Sequence, residues 1–572
     1  MTEPQPVASP TSIFTTGEPL WRGKWVQSLL VTVLFIVAFS STVPQYIGDT
    51  YWYGLDVSDY LAGGGAPDHG RLWEFAHVLW RPLAYLLYRI FGGILIAWQG
   101  PDVTSNVIRI MMAMSAVSGW LCCLILNRIL VKICGVGLGL LLTASFFCTN
   151  AVLNYVHSGA SYLPGLVFLL GSCWITQKAV SSPSPRFGWA IGVSLAVAAL
   201  FWIPYLFGVP MVLGLAFTWD RRRVRIRLIS QAAVVFLATM ILVYAMVVWA
   251  EGIRSPGQLR AWVARSQNGY AQTETWKRAI PGVARAFVNI GDAGTKLKQY
   301  SVRDPYAQVR ISDLLTGGLL GMVLFYSAFA LLIVELWVRP ENRPIMWIFL
   351  ASWALIMVLA IVVFEPGSAE RYLPVYPITY IAIAQALRWG VFSNSKRVAL
   401  AVMAGPLLLG MNLFALSTAR ATGEYSTALE RQTQLDQAAG DNTIATLMEA
   451  DPLNVLPQVH PLDLRLRPMH FRVRSAVAAG TTQVKTWQRD FGDTALENWR
   501  NGNEVWISKR LRAATPKPEW RWVEGENGVL WWKDIRDYFG AFETDRESPG
   551  EDGFVRVPHS ALNQGLVMSG RQ

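Results

Sequence analysis

Apolar residues fill long unbroken runs along most of this chain, with polar residues confined to the short gaps between them. The runs cover 26–44, 106–126, 134–153, 162–176, 188–218, 229–250, 312–338, 345–364, 372–388 and 398–418. A helix needs about 20 apolar residues to cross a bilayer, so the pattern predicts about ten or eleven spans. None of the runs alternates as a barrel strand would, and a backbone in lipid otherwise satisfies its hydrogen bonds only as a helix. Two stretches are not simple spans. Residues 78–98 carry Arg81, Tyr85, Tyr88 and Trp98, residue types that suit an interface. They are read as a helix lying along the membrane surface or dipping into it. Residues 188–218 are too long for one span and contain Pro204 and Pro210. Proline lacks the N–H donor and kinks a helix, which predicts two short helices in a hairpin around Phe201-Trp202-Ile203-Pro204-Tyr205.

After residue 419 charged and apolar positions alternate, and the lipid-type runs stop. Residues 422–450 read as helical. Glu504–Ser508 reads as a strand after the turn Asn501-Gly502-Asn503, and Trp520, Trp522, Trp531 and Trp532 add strand-like apolar positions. The predicted fold class is a polytopic α-helical membrane protein with a C-terminal soluble α/β domain. The expected divisions are a disordered lead at 1–20, a transmembrane domain at 21–418 and a tail domain at 419–572. A tail of about 130–150 residues is large enough for its own core.

Composition supports the membrane class. Charged residues make up 16% of the 572 positions, against roughly 25% in soluble domains. A net charge of +11 would suit nucleic acid, but its distribution excludes that reading. The basic residues gather in short gaps between runs: Arg221 to Arg227, Arg339 and Arg343, Lys396-Arg397, and Arg128 with Lys132. That is the positive-inside pattern. It makes the loops 45–77 and 251–311, the turn 364–371 and the tail external. Trp21-Arg22-Gly23-Lys24 and the run behind it mimic a signal peptide. With so many later spans they are read as an uncleaved anchor. The five cysteines all fall in membrane runs, with no disulfide framework and no metal spacing.

Candidate chemistry lies in the predicted external segments. After the first span comes Gly48-Asp49-Thr50-Tyr51-Trp52-Tyr53-Gly54-Leu55-Asp56-Val57-Ser58-Asp59. A carboxylate in a partly dry site can act as a general base, and Asp49 is the favoured one. Asp56 and Asp59 share a face if the segment is helical. Glu74 and His77 follow at a spacing of three, then Arg81, which suits a phosphate. In Glu370-Arg371-Tyr372-Leu373-Pro374, an arginine enters the lipid where its fork can take a lipid-linked phosphate, and Glu370 can orient it. The loop 251–311 interleaves Arg260, Arg265, Lys277, Arg278, Arg285, Arg303 and Arg310 with Trp262, Tyr270 and Trp276. Sugar and phosphate binding or an amphipathic helix on anionic lipid fit it equally. No Walker loop, dinucleotide glycine pattern, HExxH or GxSxG occurs.

Three of these elements together resemble the GT-C superfamily of integral-membrane glycosyltransferases, such as aminoarabinose transferases and protein O-mannosyltransferases. They are Gly48-Asp49 beyond the first span, Trp80-Arg81-Pro82-Leu83, and Arg371-Tyr372-Leu373-Pro374. The split run 188–218 adds to the likeness. Two departures stand beside it: Trp202-Ile203-Pro204 replaces a Thr-Lys-Pro bend, and Thr50 follows Asp49 where an acidic pair is frequent. The resemblance covers roughly 26–418. It implies an inverting transfer of a hexose or pentose from a polyprenyl-phosphate carrier to a lipid, glycan or protein acceptor, in a bacterial inner membrane. Asp49 would be the base, with Asp56, Asp59 or Glu74 assisting. Tyr53, His77, Arg81, Glu370, Arg371 and Tyr372 would bind substrate. The donor already carries a phosphate leaving group, so no cofactor is required, though a divalent metal is compatible. The rival readings are a polymerase or ligase of lipid-linked glycans, and a transporter or flippase of such glycans. A transporter predicts ionisable residues deep within spans.

Overall fold

The computed structural model describes residues 23–42, 50–63, 72–99, 103–181, 184–217, 222–265, 275–289, 310–314, 320–362 and 367–389. After these it describes shorter pieces, chiefly 410–413, 445–449, 466–470, 502–509, 537–548 and 553–561. The first apolar run becomes α1 (Lys24–Ser41). The acid-bearing segment behind it forms a helix rather than an open loop: α2 (Thr50–Ala62), followed by α3 (Trp80–Gln99). Next come α4 (Val103–Cys134), α5 (Val136–Phe147), α6 (Asn150–Tyr155), α7 (Tyr162–Ser181) and α8 (Pro185–Phe201). A 3-10 segment, Ile203–Gly208, leads into α9 (Val209–Ala216), then α10 (Arg222–Ala250), α11 (Pro256–Arg265) and α12 (Thr275–Phe287). We label the last three long helices α13 (Leu320–Val338), α14 (Arg343–Val362) and α15 (Tyr376–Trp389).

Among the described residues, four segments are long and apolar enough to cross a membrane alone: Lys24–Ser41, Asn106–Cys134, Ile226–Ala250 and Pro340–Ile361. Four shorter apolar helices lie among them. The run 134–153, read as one span, is divided. Thr149 adopts an extended backbone (φ −64°, ψ 145°), and its hydroxyl takes the Phe146 carbonyl at 2.8 Å. The chain therefore restarts as the short helix α6, whose six residues are all buried. The run 398–418 falls largely outside the described residues. All five cysteines are free thiols.

The break predicted in 188–218 is present and has a direct consequence. Pro204 has no N–H, so the Leu200 carbonyl loses its helical partner. The Tyr205 N–H turns to the Trp202 carbonyl instead, at 3.0 Å, which frees the Phe201 carbonyl as well. Both are buried and need donors. The Leu79 N–H takes the Leu200 carbonyl at 3.1 Å, and His77 Nδ1 lies 3.2 Å from the Phe201 carbonyl. A sequence-local break thus docks the segment before α3 onto the end of α8.

In the tail, a five-stranded sheet runs in the order β2-β1-β3-β5-β4. The strands are β1 (Ala445–Glu449), β2 (Leu466–His470), β3 (Glu504–Ser508), β4 (Arg546–Glu547) and β5 (Phe554–Val557). β1 pairs in parallel with β2 and β3, whereas β5 is antiparallel to β3 and β4. The strand expected at Glu504–Ser508 is there. The helix expected over 422–450 is corrected at its end: Ala445–Glu449 is a strand, because its apolar residues pair between two parallel neighbours. The four tail tryptophans 520, 522, 531 and 532 fall outside the described residues. Arg556 bonds Glu504 at 2.5 Å and also binds Asp545, and it holds the Asp545 carboxyl below the usual carboxylate range.

Candidate functional site

Glycine allows α2 to lie close to its neighbours. A Cβ on Gly54 would stand 2.5 Å from the Ile108 side chain of α4, and one on Gly159 would stand 2.4 Å from Thr50 Cγ2. The Trp80 indole N–H donates to the Gly159 carbonyl at 3.0 Å. α2 and the start of α3 are therefore pinned to the polar, wholly buried link between α6 and α7. Into this corner the sequence brings its acids. Arg81 Nη2 lies 2.9 Å from Asp56 Oδ2 and 2.9 Å from Glu74 Oε2. Its guanidinium carbon sits 4.8 Å above the Tyr53 ring. Arg81 is buried, and among the described residues its Nε and Nη1 have no hydrogen-bond partner. The residue read as a phosphate contact is therefore the counter-ion of two of the candidate acids. Asp59, one turn on, is on the exposed side of α2. Asp49 lies outside the described residues, directly before Thr50 in sequence.

A second polar group gathers at the turn before α15. Pro374 lies inside the 3-10 segment Ala369–Val375 that carries Glu370, Arg371 and Tyr372. The Tyr155 hydroxyl donates to Glu370 Oε2 at 2.5 Å. Glu370 Oε1 lies 3.8 Å from Arg371 Nε. The Arg371 guanidinium carbon lies 5.7 Å from the Trp202 ring centre. Tyr372 faces inward, fully buried, and donates to the Ala279 carbonyl of α12 at 3.4 Å. It anchors α12 and offers no exposed surface to a substrate.

Aromatic side chains join the two groups. From Tyr53 the ring centres step 5.5 Å to His77, 6.3 Å to Tyr162 and 4.8 Å to Trp202, and Trp202 lies under Arg371. His77 Nδ1 is 2.6 Å from Ser161 Oγ. The Phe201 carbonyl on the same nitrogen only accepts, so that bond requires the ring proton on Nδ1. Tyr155 packs edge-on against Tyr162 at 4.8 Å. A row of buried ring contacts from Tyr53 through His77 and Tyr162 to Trp202 thus links the group of Asp56, Glu74 and Arg81 to that of Glu370 and Arg371. Sequence reasoning missed Tyr155, Ser161, Tyr162 and Trp202 as members. The signal was present as the polar interruption Asn154-Tyr155-Val156-His157-Ser158-Gly159-Ala160-Ser161 within apolar surroundings. His157 is not in the site: it stacks on Phe39 at 4.3 Å and pairs with the Thr42 hydroxyl at 2.9 Å.

Two described helices of the segment 251–311, α11 and α12, pack on residues that flank the two polar groups. The Trp262 indole N–H of α11 donates to the Trp73 carbonyl. α12 is held against the Arg371 turn, with the Tyr376 hydroxyl on the Ala286 carbonyl at 2.5 Å and the Asn150 amide on the Arg285 carbonyl at 2.7 Å. Among the described residues, no three His, Cys, Asp or Glu side chains come together to hold a metal ion.

No protein-family model matches the chain. Among solved structures it is similar to ArnT from Cupriavidus metallidurans in the apo state, at 13% identity and a TM-score of 0.53, over 93% of this chain and 97% of that one. It is also similar to the same protein bound to undecaprenyl phosphate (12% identity, TM-score 0.49, over 93% and 97%). A third match is the Archaeoglobus fulgidus oligosaccharyltransferase with zinc and sulfate (11% identity, TM-score 0.46, over 92% and 73%). The apo ArnT match carries the assignment: the chain shares the fold of that protein. At these identities the fold is what is shared.

Proposed function

We propose that this chain transfers a sugar from a polyprenyl-phosphate carrier to an acceptor at the external face of a bacterial inner membrane. The observation that carries the reading is a pair of polar groups in an otherwise apolar bundle, each built round an arginine and linked by buried aromatic rings. Such a site suits an amphiphile with a long apolar chain, one phosphate and a sugar. ArnT, whose fold the chain shares, has been solved with undecaprenyl phosphate, a molecule of that description. Residues 21–418 would form the catalytic membrane domain and 419–572 an external domain. Buried Asp, Glu, Lys and Arg among the described residues are Arg81, Glu335 and Glu370. Each lies near a helix end, which favours transfer over transport.

In this mechanism Asp49 takes the proton of the acceptor hydroxyl. The acceptor oxygen attacks the anomeric carbon from the face opposite the phosphate, and the carbon–oxygen bond to the carrier breaks. Configuration inverts, and the carrier leaves as its phosphate. Arg371 binds the growing negative charge with its planar fork. Tyr155 and Glu370 hold that arginine in place. Arg81 holds Asp56 and Glu74 in place beside the acceptor. The negative charge leaves on a phosphate that is already formed, so the step needs no metal.

The test is sugar transfer from radiolabelled polyprenyl-phosphate sugars in membranes holding wild type or Asp49→Asn at matched expression. Wild type is expected to transfer and Asp49→Asn to lose ~10²-fold or more, the usual scale for a general base. Equal transfer by both would move the base to Asp56 or Glu74. No transfer by wild type from any donor would overturn the proposal.

A further inference from the structure

Glu74 sits in the only extended residue between Trp73 and the 3-10 turn Phe75–His77, with φ −110° and ψ 135°. Three consecutive backbone carbonyls surround it, and each is occupied. The Trp73 carbonyl accepts from the Trp262 indole N–H at 3.1 Å. The Glu74 carbonyl accepts from the His77 N–H at 3.1 Å. The Phe75 carbonyl accepts from the Tyr244 hydroxyl at 2.8 Å. Two of the three donors come from distant helices, α11 and α10. Their rings also enclose Phe75, whose centre lies 5.5 Å from that of Tyr244 and 5.5 Å from that of Trp262. A residue clamped on both sides has little backbone freedom, and its side chain leaves in one direction, onto Arg81.

The rest of α11 explains little by itself. Residues 256–261 are exposed, Val263 is half-buried, and among the described side chains of this helix Trp262 alone is buried. A ten-residue helix of mean polarity has no strong reason to dock except through that one side chain. We infer that Trp262 and Tyr244 are positioning residues for Glu74, and that α11 acts on the polar site through the backbone at 73–75. Glu74 is set from outside its own segment, by an indole on the exposed helix and a phenol on the adjoining one.

The activity half of the test rests on the proposed transferase reading, so it is paired with a measurement that does not. First, hydrogen–deuterium exchange is followed in the purified full-length chain. Tyr244→Phe keeps its ring and removes one donor, whereas Trp262→Phe removes its donor and trims the indole to a phenyl. Faster exchange in the peptide covering 72–81, with peptides of α4 and α7 unchanged, is the expected result. Unchanged exchange at 72–81 overturns the inference. Second, transfer kinetics are measured for Trp262→Phe, Glu74→Gln and the double variant. Loss of one neutral hydrogen bond predicts a ~3–10-fold fall in kcat for Trp262→Phe, with the donor KM unchanged. In the Glu74→Gln background the same substitution is expected to have little further effect, because both act through one carboxylate. Full additivity of the two falls overturns the inference. If wild type transfers nothing, the functional reading fails while the exchange result still decides the positioning role.

Discussion

Arg371→Gln lowers kcat for transfer by ~10²–10³, the scale for removing one preorganised donor from a developing oxyanion. The reasoning starts from the turn. Pro374 holds Ala369–Val375 as a 3-10 segment, which turns Arg371 onto the Trp202 ring while Glu370 is taken by the Tyr155 hydroxyl. The arginine is half-enclosed, with its side chain 18% exposed. A phosphate arriving there meets a charge that water screens only partly. Arg371→Lys is expected to recover only part of the loss, since an ammonium lacks the two-pronged fork. Steady-state transfer in membranes, with expression matched by immunoblot, checks both variants. A near-normal kcat in Arg371→Gln would remove the residue from the phosphate site.

Arg81→Met destabilises the folded protein by about 3 kcal/mol, toward the lower end for removing one member of a buried ion pair. The lower end applies because the carboxylates are partly wet: the side chains of Asp56 and Glu74 are 28% and 19% exposed, against 7% for Arg81. Two carboxylates would lose their shared counter-ion, and the Tyr53 ring would lose the cation above it. The triple variant Asp56→Asn, Glu74→Gln, Arg81→Met is expected to regain much of the loss, because no unpaired charge then remains. Thermal unfolding in detergent, followed by tryptophan fluorescence, reads both. An unchanged midpoint in Arg81→Met would mean that the cluster contributes nothing to the fold.

The membrane class, the break at Pro204 and the turn at Arg371 were legible because each depends on local chemistry. Long apolar runs can satisfy their backbone in lipid only as helices, and a proline removes a donor wherever it falls. The helix α2 was less legible. Tyr51 to Asp59 mixes aromatics and acids without a clean helical stripe, and its close approach to α4 depends on Gly54 meeting Ile108, a contact no short window reveals. The pairing of Arg81 with two of the acids was missed for a related reason. A basic residue beside Pro82 suits a phosphate on its own, but Asp56 lies 25 positions earlier and joins it only through tertiary packing. Tyr162 and Trp202 were hidden because buried aromatics in apolar runs look like ordinary core. Their placement is set by the start of α7 and the link after α8, two elements far apart in sequence. The strand Ala445–Glu449 was read as helix because its residues also carry good helical propensity, and pairing with β2 and β3 overrides that preference.

The proposed reaction requires that the sugar leave its lipid carrier. The purified chain is reconstituted in vesicles with a polyprenyl-phosphate sugar labelled in both sugar and phosphate, together with candidate acceptors. The expected result is that the sugar label moves to an acceptor while the phosphate label stays with the polyprenol. Both labels remaining on one intact lipid that has merely changed leaflet would contradict it.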